Sequence, residues 1–396
     1  MGRLSVMLLT APWVLPVSSP PLPLGAVLLE GERIIAVGPE RQFQDYRGAR
    51  VSLTDQILLP GLVNAHAHLE FPKREGLPRN SFTQWVKALM GCEPSQPAIF
   101  QENIRQLLLG GTTTLANHMG IGAQHPPETD QPPAEAAPLH LTPLRTVFFL
   151  EVLGSAEDRA RASLVAAHEM QRTLQDAGIA AWITPHSLYA VHPNILEKLI
   201  PVSTHFLESL EEEQWWRAGT GPLAEYVRER DGVGAYGNTP LPTNIIVHGN
   251  YLNPAEMDLL RKQNVSVIHC PGSHRFFGHR PFPLQELTKR GINVALGTDS
   301  LASNDEISML RELALARITW PDLAAQDLVT MATQNGAKAL RMETEIGSLS
   351  PGKKADLIAV PCDASVTDPY EMVLRAKQVS WMMINGKICI LHCVIL

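Results

Sequence analysis

Cysteine is scarce in this 396-residue chain: there are five, at positions 92, 270, 362, 389 and 393, and no CxxC pair among them. So odd and scattered a set speaks against a disulfide framework and against a thiolate zinc site, and it fits a reducing compartment. Excess charge of either sign is also lacking, since 33 Lys plus Arg against 40 Asp plus Glu leaves a net charge of −7. That mild acidity speaks against a nucleic-acid binder working through a basic surface. No apolar run approaches the roughly 20 residues needed to cross a bilayer. The one leader-like stretch, Arg3 followed by apolar residues, is broken by Pro12 and Pro16 and continues into a strand–turn–strand pattern around Gly31. Export is therefore not expected. Cys393 to Leu396 fit a prenylation pattern, but no basic stretch precedes them. The expectation is a cytoplasmic protein without membrane or nucleic-acid partners. No repeat of fixed period occurs. At 45% hydrophobic and 18% charged residues, the chain has ample material for a globular core.

What the chain does have is 31 prolines and 14 histidines. Between Leu59 and about Gly347, short apolar runs alternate with longer helical patterns such as 160–177 and 306–318, the rhythm of a parallel α/β sheet. Strands are expected at 57–66, 112–118, 146–152, 179–186, 201–206, 244–249, 265–271 and 292–299. Each is nearly continuously apolar, as strands buried on both faces are. Eight strands alternating with helices imply an α/β fold, a (β/α)8 TIM-like barrel. The flanks, 1–58 and 350–396, carry short strands and turns such as GERIIAVG and KKADLIAV. They read as one small β-sandwich domain built from both chain ends, leaving 59–349 as the catalytic barrel. The proline-rich run 123–144 cannot be a regular element and is expected as a rim loop.

In such barrels the C-terminal strand ends face the active site. Read in order, these ends carry His66 with His68, then His118, Glu151, His186, His205, His248, His269 and Asp299. Burying so many imidazoles at one mouth without a shared task is costly, so convergence argues for a site. His66 and His68 flank Ala67 after the apolar run ILLPGLVNA, and alternate residues of an extended segment project on one face. Three imidazoles and a carboxylate, His66, His68, His205 and Asp299, suit one divalent ion, Zn²⁺ first and Fe²⁺ second, with a position left for water. Such an ion lowers the pKa of its water toward neutrality.

LLPGLVNAHAHLEF, THFLES, IIVHGNYL, VIHCPGSH and ALGTDSLASND, in this order, resemble the amidohydrolase superfamily, in its cytosine-deaminase and chlorohydrolase-like branch. The resemblance spans nearly the whole chain and implies the same barrel and split β domain. It implies that His66, His68, His205 and Asp299 hold the metal. It makes Glu208 the residue that carries a proton to a ring nitrogen, His248 the one that orients or deprotonates the attacking water, and Asp299 the relay to departing ammonia. No lysine stands at a strand end where binuclear members carry a carbamylated bridge, so a single metal is expected, with Glu151 the one residue able to approach a second.

PHSLYAVHP resembles a segment that adenosine-type deaminases place near the nucleoside, which implies substrate roles for His186 and Tyr189. SFTQWVKALM, FLEVLGS and HFLESLEEEQWWRAGTGPLAEY are similar to aminodeoxyfutalosine deaminases of menaquinone biosynthesis. A substrate ending in benzoate calls for a cation, and Arg275, His279 and Arg280 in SHRFFGHRPF are placed for that, with Trp85 as an aromatic lining. The expected function is hydrolytic removal of the 6-amino group of an adenine nucleoside, with 6-aminodeoxyfutalosine as lead substrate. Two alternatives stand beside it. One is a hydrolase of another ring, such as S-adenosylhomocysteine, methylthioadenosine, guanine, a pterin or a chlorotriazine. The other is a non-catalytic barrel kept as a binding or assembly protein. A homodimer is a family-level expectation.

Overall fold

The computed structural model describes residues 6–92, 97–121, 142–199, 202–230, 232, 243–362, 367–391 and 394–395. Eight parallel strands form the barrel: β1 (Leu62–Ala67), β2 (Thr112–Ile121), β3 (Arg145–Val152), β4 (Ala180–Pro185), β5 (Ser203–Phe206), β6 (Ile245–His248), β7 (Ser266–His269) and β8 (Val294–Leu296). They hydrogen-bond as two sheets, β1 to β4 and β5 to β8, each in sequence order. Single parallel bridges, Ser187 with His205 and Ala67 with Asp299, close the two seams. Both seams thus lie at residues of the site.

Alternation along the strands sorts side chains inward and outward. One apolar cluster draws Ala65, Ala116, Val147, Phe149, Val247, Ile268 and Ala295 from six different strands, and so fills the barrel interior. Leu115, Phe148, Leu150, Ile246, Val267 and Leu296 belong instead to a cluster shared with helix residues such as Met170, Leu260 and Leu313. The helices are locally encoded. Pro254–Gln263, after β6, opens on a capping box between Asn253 and Glu256, has proline at its first position, and ends on Asn264 at φ 55°.

The expected strand 57–66 is two strands, Gln56–Pro60 and β1, separated at Gly61. A side chain at Gly61 would collide with Thr113, so glycine alone lets the chain pass from one sheet into the barrel here. Gln56–Pro60 joins a nine-stranded sheet made from both chain ends, in the order Val394–Ile395, Lys387–Leu391, Trp381–Ile384, Leu357–Pro361, Gln56–Pro60, Val6–Val14, Leu22–Glu30, Arg33–Pro39. Ala49–Ser52 branches off beside Val6–Val14. Leu9, Val27, Ile34, Leu58, Leu357 and Trp381 pack together as the sheet's own core. Arg145, at the start of β3, ties the barrel to this sheet through Asp356 at 2.9 Å. The expected rim loop 123–144 lies outside the described residues, apart from its last three positions. Among the described residues, no helix is long and apolar enough to cross a membrane.

Candidate active site

Three strand ends turn through backbone conformations that L-residues avoid. Leu207, just beyond β5, has φ 51°, His248 at the end of β6 has φ 69°, and Asp299 beyond β8 has φ 58°. Each such residue costs about 1–3 kcal/mol and persists only where surrounding structure imposes it. Their effect is to aim Glu208, His248 and Asp299 into the mouth. β1 contributes a further irregularity, since its register with β2 shifts between Asn64 and Ala67, where the two histidines sit. The end of β8 can approach β1 because residue 297 is glycine; a Cβ there would lie 2.7 Å from the His66 carbonyl oxygen. Thr298 and Asp299 then donate their amides to that oxygen at 2.9 and 3.1 Å.

The side chains so gathered are almost wholly buried: His66 is 0% exposed, His68 5%, His205 3%, Glu208 6%, His248 2% and Asp299 6%. Donor atoms of His66, His68 and Asp299 lie within 4.8 Å of one another, as do those of His66, His205 and His248, and those of Glu208, His248 and Asp299. His66, His68, His205, Glu208, His248 and Asp299, expected from separate motifs, therefore meet in one place.

The hydrogen bonds around the imidazoles decide whether a cation fits. Each of the three ligand candidates engages the protein through Nδ1. That atom of His66 meets Nδ1 of His118 at 3.1 Å, that of His205 donates to the His186 carbonyl at 2.8 Å, and that of His68 faces Glu70 at 3.5 Å. Partners on the far nitrogen are what orient metal-binding histidines. The Nε2 atoms of His68 and His205 are 3.3 Å apart, and that of His66 is buried without a hydrogen-bond partner, 3.8 Å from Asp299 Oδ1. Imidazole nitrogens gathered beside a carboxylate are a donor set that would hold a divalent ion. On that observation a metal fits. The other carboxylate oxygen of Asp299 is held by Ser303 Oγ at 2.8 Å, and its first oxygen accepts the Ser300 amide.

The electrostatics divide the acids into two kinds. Burial opposes ionisation of Asp299, yet His66, His248 and His68 outweigh it and hold the carboxyl below its usual range. Glu151 follows the same pattern, with His186 and His68 overcoming burial. Glu208 is the opposite: burial, then the nearby Asp299 and Glu212 carboxyls, push it well above the ordinary value. Its carboxyl lies 3.7 Å from Nε2 of His248. Burial pulls His248 down to about 3, so it faces that acid as a neutral base. For His68, burial is outweighed by Glu151 and Glu70, which raise it to about 10 and make it strongly basic.

The substrate-side expectations fall at the rim. His186, one quarter exposed, is fixed by a 2.6 Å bond from Nδ1 to buried Glu151. Glu151 is thus engaged with His186. Tyr189 is buried between the rings of Phe82 and Trp215. Trp85 donates its indole N–H to the Ala302 carbonyl at 3.1 Å and packs edge-on against Phe277 at 5.2 Å. His279 bonds Tyr251 through Nδ1 at 3.3 Å, and its buried Nε2 has no partner. Arg275 is exposed on the helix Pro271–Phe277, with no side-chain hydrogen bond or ion pair among the described residues. Arg280, exposed, lays its guanidinium over the Tyr251 ring at 4.5 Å and donates from Nε to the Asn250 carbonyl at 3.3 Å.

Four buried residues escaped the sequence reading. Glu70 extends the alternation of His66 and His68 by one step, and that period was the available signal. Glu212 accepts the Glu208 amide at 2.8 Å while Ser209 caps the same helix, and Ser-x-x-Glu was readable as a capping box. Ser303 has no local signal. Glu312 accepts from Asn304 at 2.6 Å and from the Gly272 amide at 2.7 Å, locking the loop after β8 to the helix after β7.

Against known proteins, residues 57–389 match the amidohydrolase family model. The chain belongs to the amidohydrolase family. This amidohydrolase is 29% identical over 395 residues to a 5-methylthioadenosine/S-adenosylhomocysteine deaminase of Teredinibacter turnerae, covering 89% of this chain and 83% of that protein. It is 26% identical over 372 residues to an aminodeoxyfutalosine deaminase of a Nitratiruptor species, covering 85% and 87%. The crystal structure of an adenosine deaminase from Xanthomonas campestris with bound zinc superposes with a TM-score of 0.78 at 25% identity, covering 100% of this chain and 95% of that one. As an amidohydrolase with these relatives, the chain is a hydrolase of C–N bonds in cyclic amidines.

Proposed function

We propose that this amidohydrolase removes the 6-amino group of an adenine nucleoside by hydrolysis. The observation that carries the reading is Glu208, a buried acid that its surroundings hold toward the neutral form, gathered with His248 and Asp299 beside the imidazoles of His66, His68 and His205. His66, His68, His205 and Asp299 would hold one divalent ion, Zn²⁺ before Fe²⁺ on the preference of three nitrogens and one oxygen. When bound, that ion supplies Lewis acidity, making water nucleophilic at neutral pH.

The chain's own residues account for the proton traffic. Glu208 gives its proton to the ring nitrogen next to the reacting carbon, so that the carbon can accept oxygen without building negative charge on the ring. His248, neutral, takes or steers a proton of the attacking water. Asp299, ionised, accepts a proton that originates in the attacking water and passes it to the amine as the C–N bond breaks; the water's second proton restores Glu208, and ammonia leaves with the 6-oxo ring as the other product. His186, anchored by Glu151, and Tyr189 line the side where the nucleoside would sit.

The lead substrate is 6-aminodeoxyfutalosine, supported by the likeness to aminodeoxyfutalosine deaminase and by Arg275, an exposed cation on the helix that follows β7, as a partner for a carboxylate. A second reading, 5′-methylthioadenosine or S-adenosylhomocysteine, is favoured by the Teredinibacter relative. Ammonia release from a panel of adenosine, both of these nucleosides and 6-aminodeoxyfutalosine tests the proposal. Release from the last with the highest kcat/KM is expected. Activity confined to adenosine or the sulfur nucleosides replaces the lead, and no release from any member removes the reading.

A further inference from the structure

The barrel interior holds an imidazole that the proposed chemistry does not use. His118 stands on β2, two residues past Ala116 of the inner apolar cluster, and Phe149 of the same cluster stacks on it at 4.6 Å with 10° between planes. Interior layers of such barrels are filled with branched apolar side chains, so a fully buried histidine there has to repay its desolvation. It does so through both nitrogens. Nε2 lies 2.9 Å from Ser203 Oγ on β5, and Nδ1 lies 3.1 Å from Nδ1 of His66.

A contact between two ring nitrogens holds one proton, and its location decides which way His66 turns its free lone pair. With the proton on His66, His118 accepts at Nδ1 and donates Nε2–H to Ser203. His66 Nε2 is then bare, aimed where it already lacks a partner. With the proton on His118, shared with the Ala116 carbonyl at 3.4 Å, the Ser203 hydroxyl donates to Nε2 instead. His66 must then carry hydrogen on Nε2 and turn it toward Asp299. Only the first arrangement leaves His66 able to bind a cation. Among the described residues, His118 is the only hydrogen-bond partner of His66 Nδ1.

We propose that His118, backed by Ser203, is the positioning residue that sets the tautomer of His66, accepting its Nδ1 proton so that Nε2 faces the metal. This rests on His66 being a ligand. The other ligand candidates reach the same end by ordinary means, a carbonyl for His205 and carboxylates for His68. His66 alone depends on a second imidazole, which can hold either tautomer.

The test is Zn²⁺ affinity by chelator competition on three variants. His118→Phe keeps the stack on Phe149 and removes both nitrogens; a loss of about 10- to 100-fold in affinity is expected. His118→Asn restores an acceptor near the Nδ1 position and should recover affinity to within a few fold of the parent. His66→Ala should lose the ion. Parent-like affinity in His118→Phe, with His66→Ala deficient, overturns the inference while leaving the site intact. Full occupancy in His66→Ala instead overturns the ligand reading beneath it. If His118→Phe does not fold, nitrogen-15 spectra of the zinc-loaded parent decide. Hydrogen on His66 Nδ1, coupled across to His118, is expected, and hydrogen on His118 Nδ1 refutes the role.

Discussion

Charge is buried in two opposite ways in this molecule. In the sheet built from the chain ends, the Asp356 carboxylate is 5% exposed and fully matched, accepting from Arg145 at 2.9 Å and from the Asn385 amide at 2.8 Å. At the barrel mouth, Glu208, Glu212 and Asp299 are equally buried, and none forms an ion pair with lysine or arginine among the described residues. There a proton or an imidazole replaces the counter-ion. The sheet spends its polar groups on holding together, whereas the mouth leaves Nε2 of His66 and of His248 without a hydrogen-bond partner and ready for a ligand. Regions that forgo stability in this manner are where substitution for function and substitution for stability part company.

The largest test of that contrast is Glu208→Gln. The amide keeps the shape but cannot give the proton, so turnover should fall about 10²- to 10⁴-fold with metal content unchanged and thermal stability equal or higher. Unchanged turnover would take Glu208 out of the reaction. Next comes His66→Ala, for which metal analysis after Zn²⁺ loading should find less than one equivalent.

How much of this was legible beforehand follows the same division. The barrel strands are continuous apolar runs, and their ends carry the histidines, so fold and donor set could be read from local pattern. The boundary at Gly61 could not, because its cause is contact with Thr113 on the neighbouring strand, some fifty residues along the chain. Nor could the partners of the imidazoles. His118 reaches His66 from the next strand and Ser203 from the far sheet, and no spacing in sequence encodes such contacts. The contacts of Arg280 with Tyr251 and Asn250 are of the same kind, made to another strand's loop and not announced by its place in the chain.

In the sheet, Asp356→Ala should behave in the opposite sense to Glu208→Gln. It takes the carboxylate from Arg145, which keeps only Asn385 Oδ1, and the acceptor from the Asn385 amide, so unfolding free energy should drop by about 3 kcal/mol while kcat is retained. Urea denaturation and an activity assay on the same preparation check both halves; a lost kcat with unchanged stability would erase the distinction. A gentler probe is Glu312, which burial pushes from 4.5 up to about 8. Between those values the folded chain keeps a proton that the unfolded chain has released. Stability contributed by the neutral form is therefore whole below about pH 4.5 and is lost as pH rises through about 8. The slope is roughly 1.4 kcal/mol per pH unit at most, and Glu312→Gln should flatten it in denaturation series across this range.

The smallest effect belongs to the rim, where neither scheme applies. Arg275 is exposed and has no protein partner to lose, so Arg275→Ala should leave stability and metal content alone. A solvent-exposed cation attracts a carboxylate by only about 1 kcal/mol, which is several-fold in binding. KM for 6-aminodeoxyfutalosine should therefore rise several-fold at constant kcat, with KM for adenosine unmoved and the difference shrinking in high salt. An equal rise for both substrates would mean that Arg275 shapes the mouth rather than reading the substrate's charge. A change in kcat would move it from the rim into the site itself.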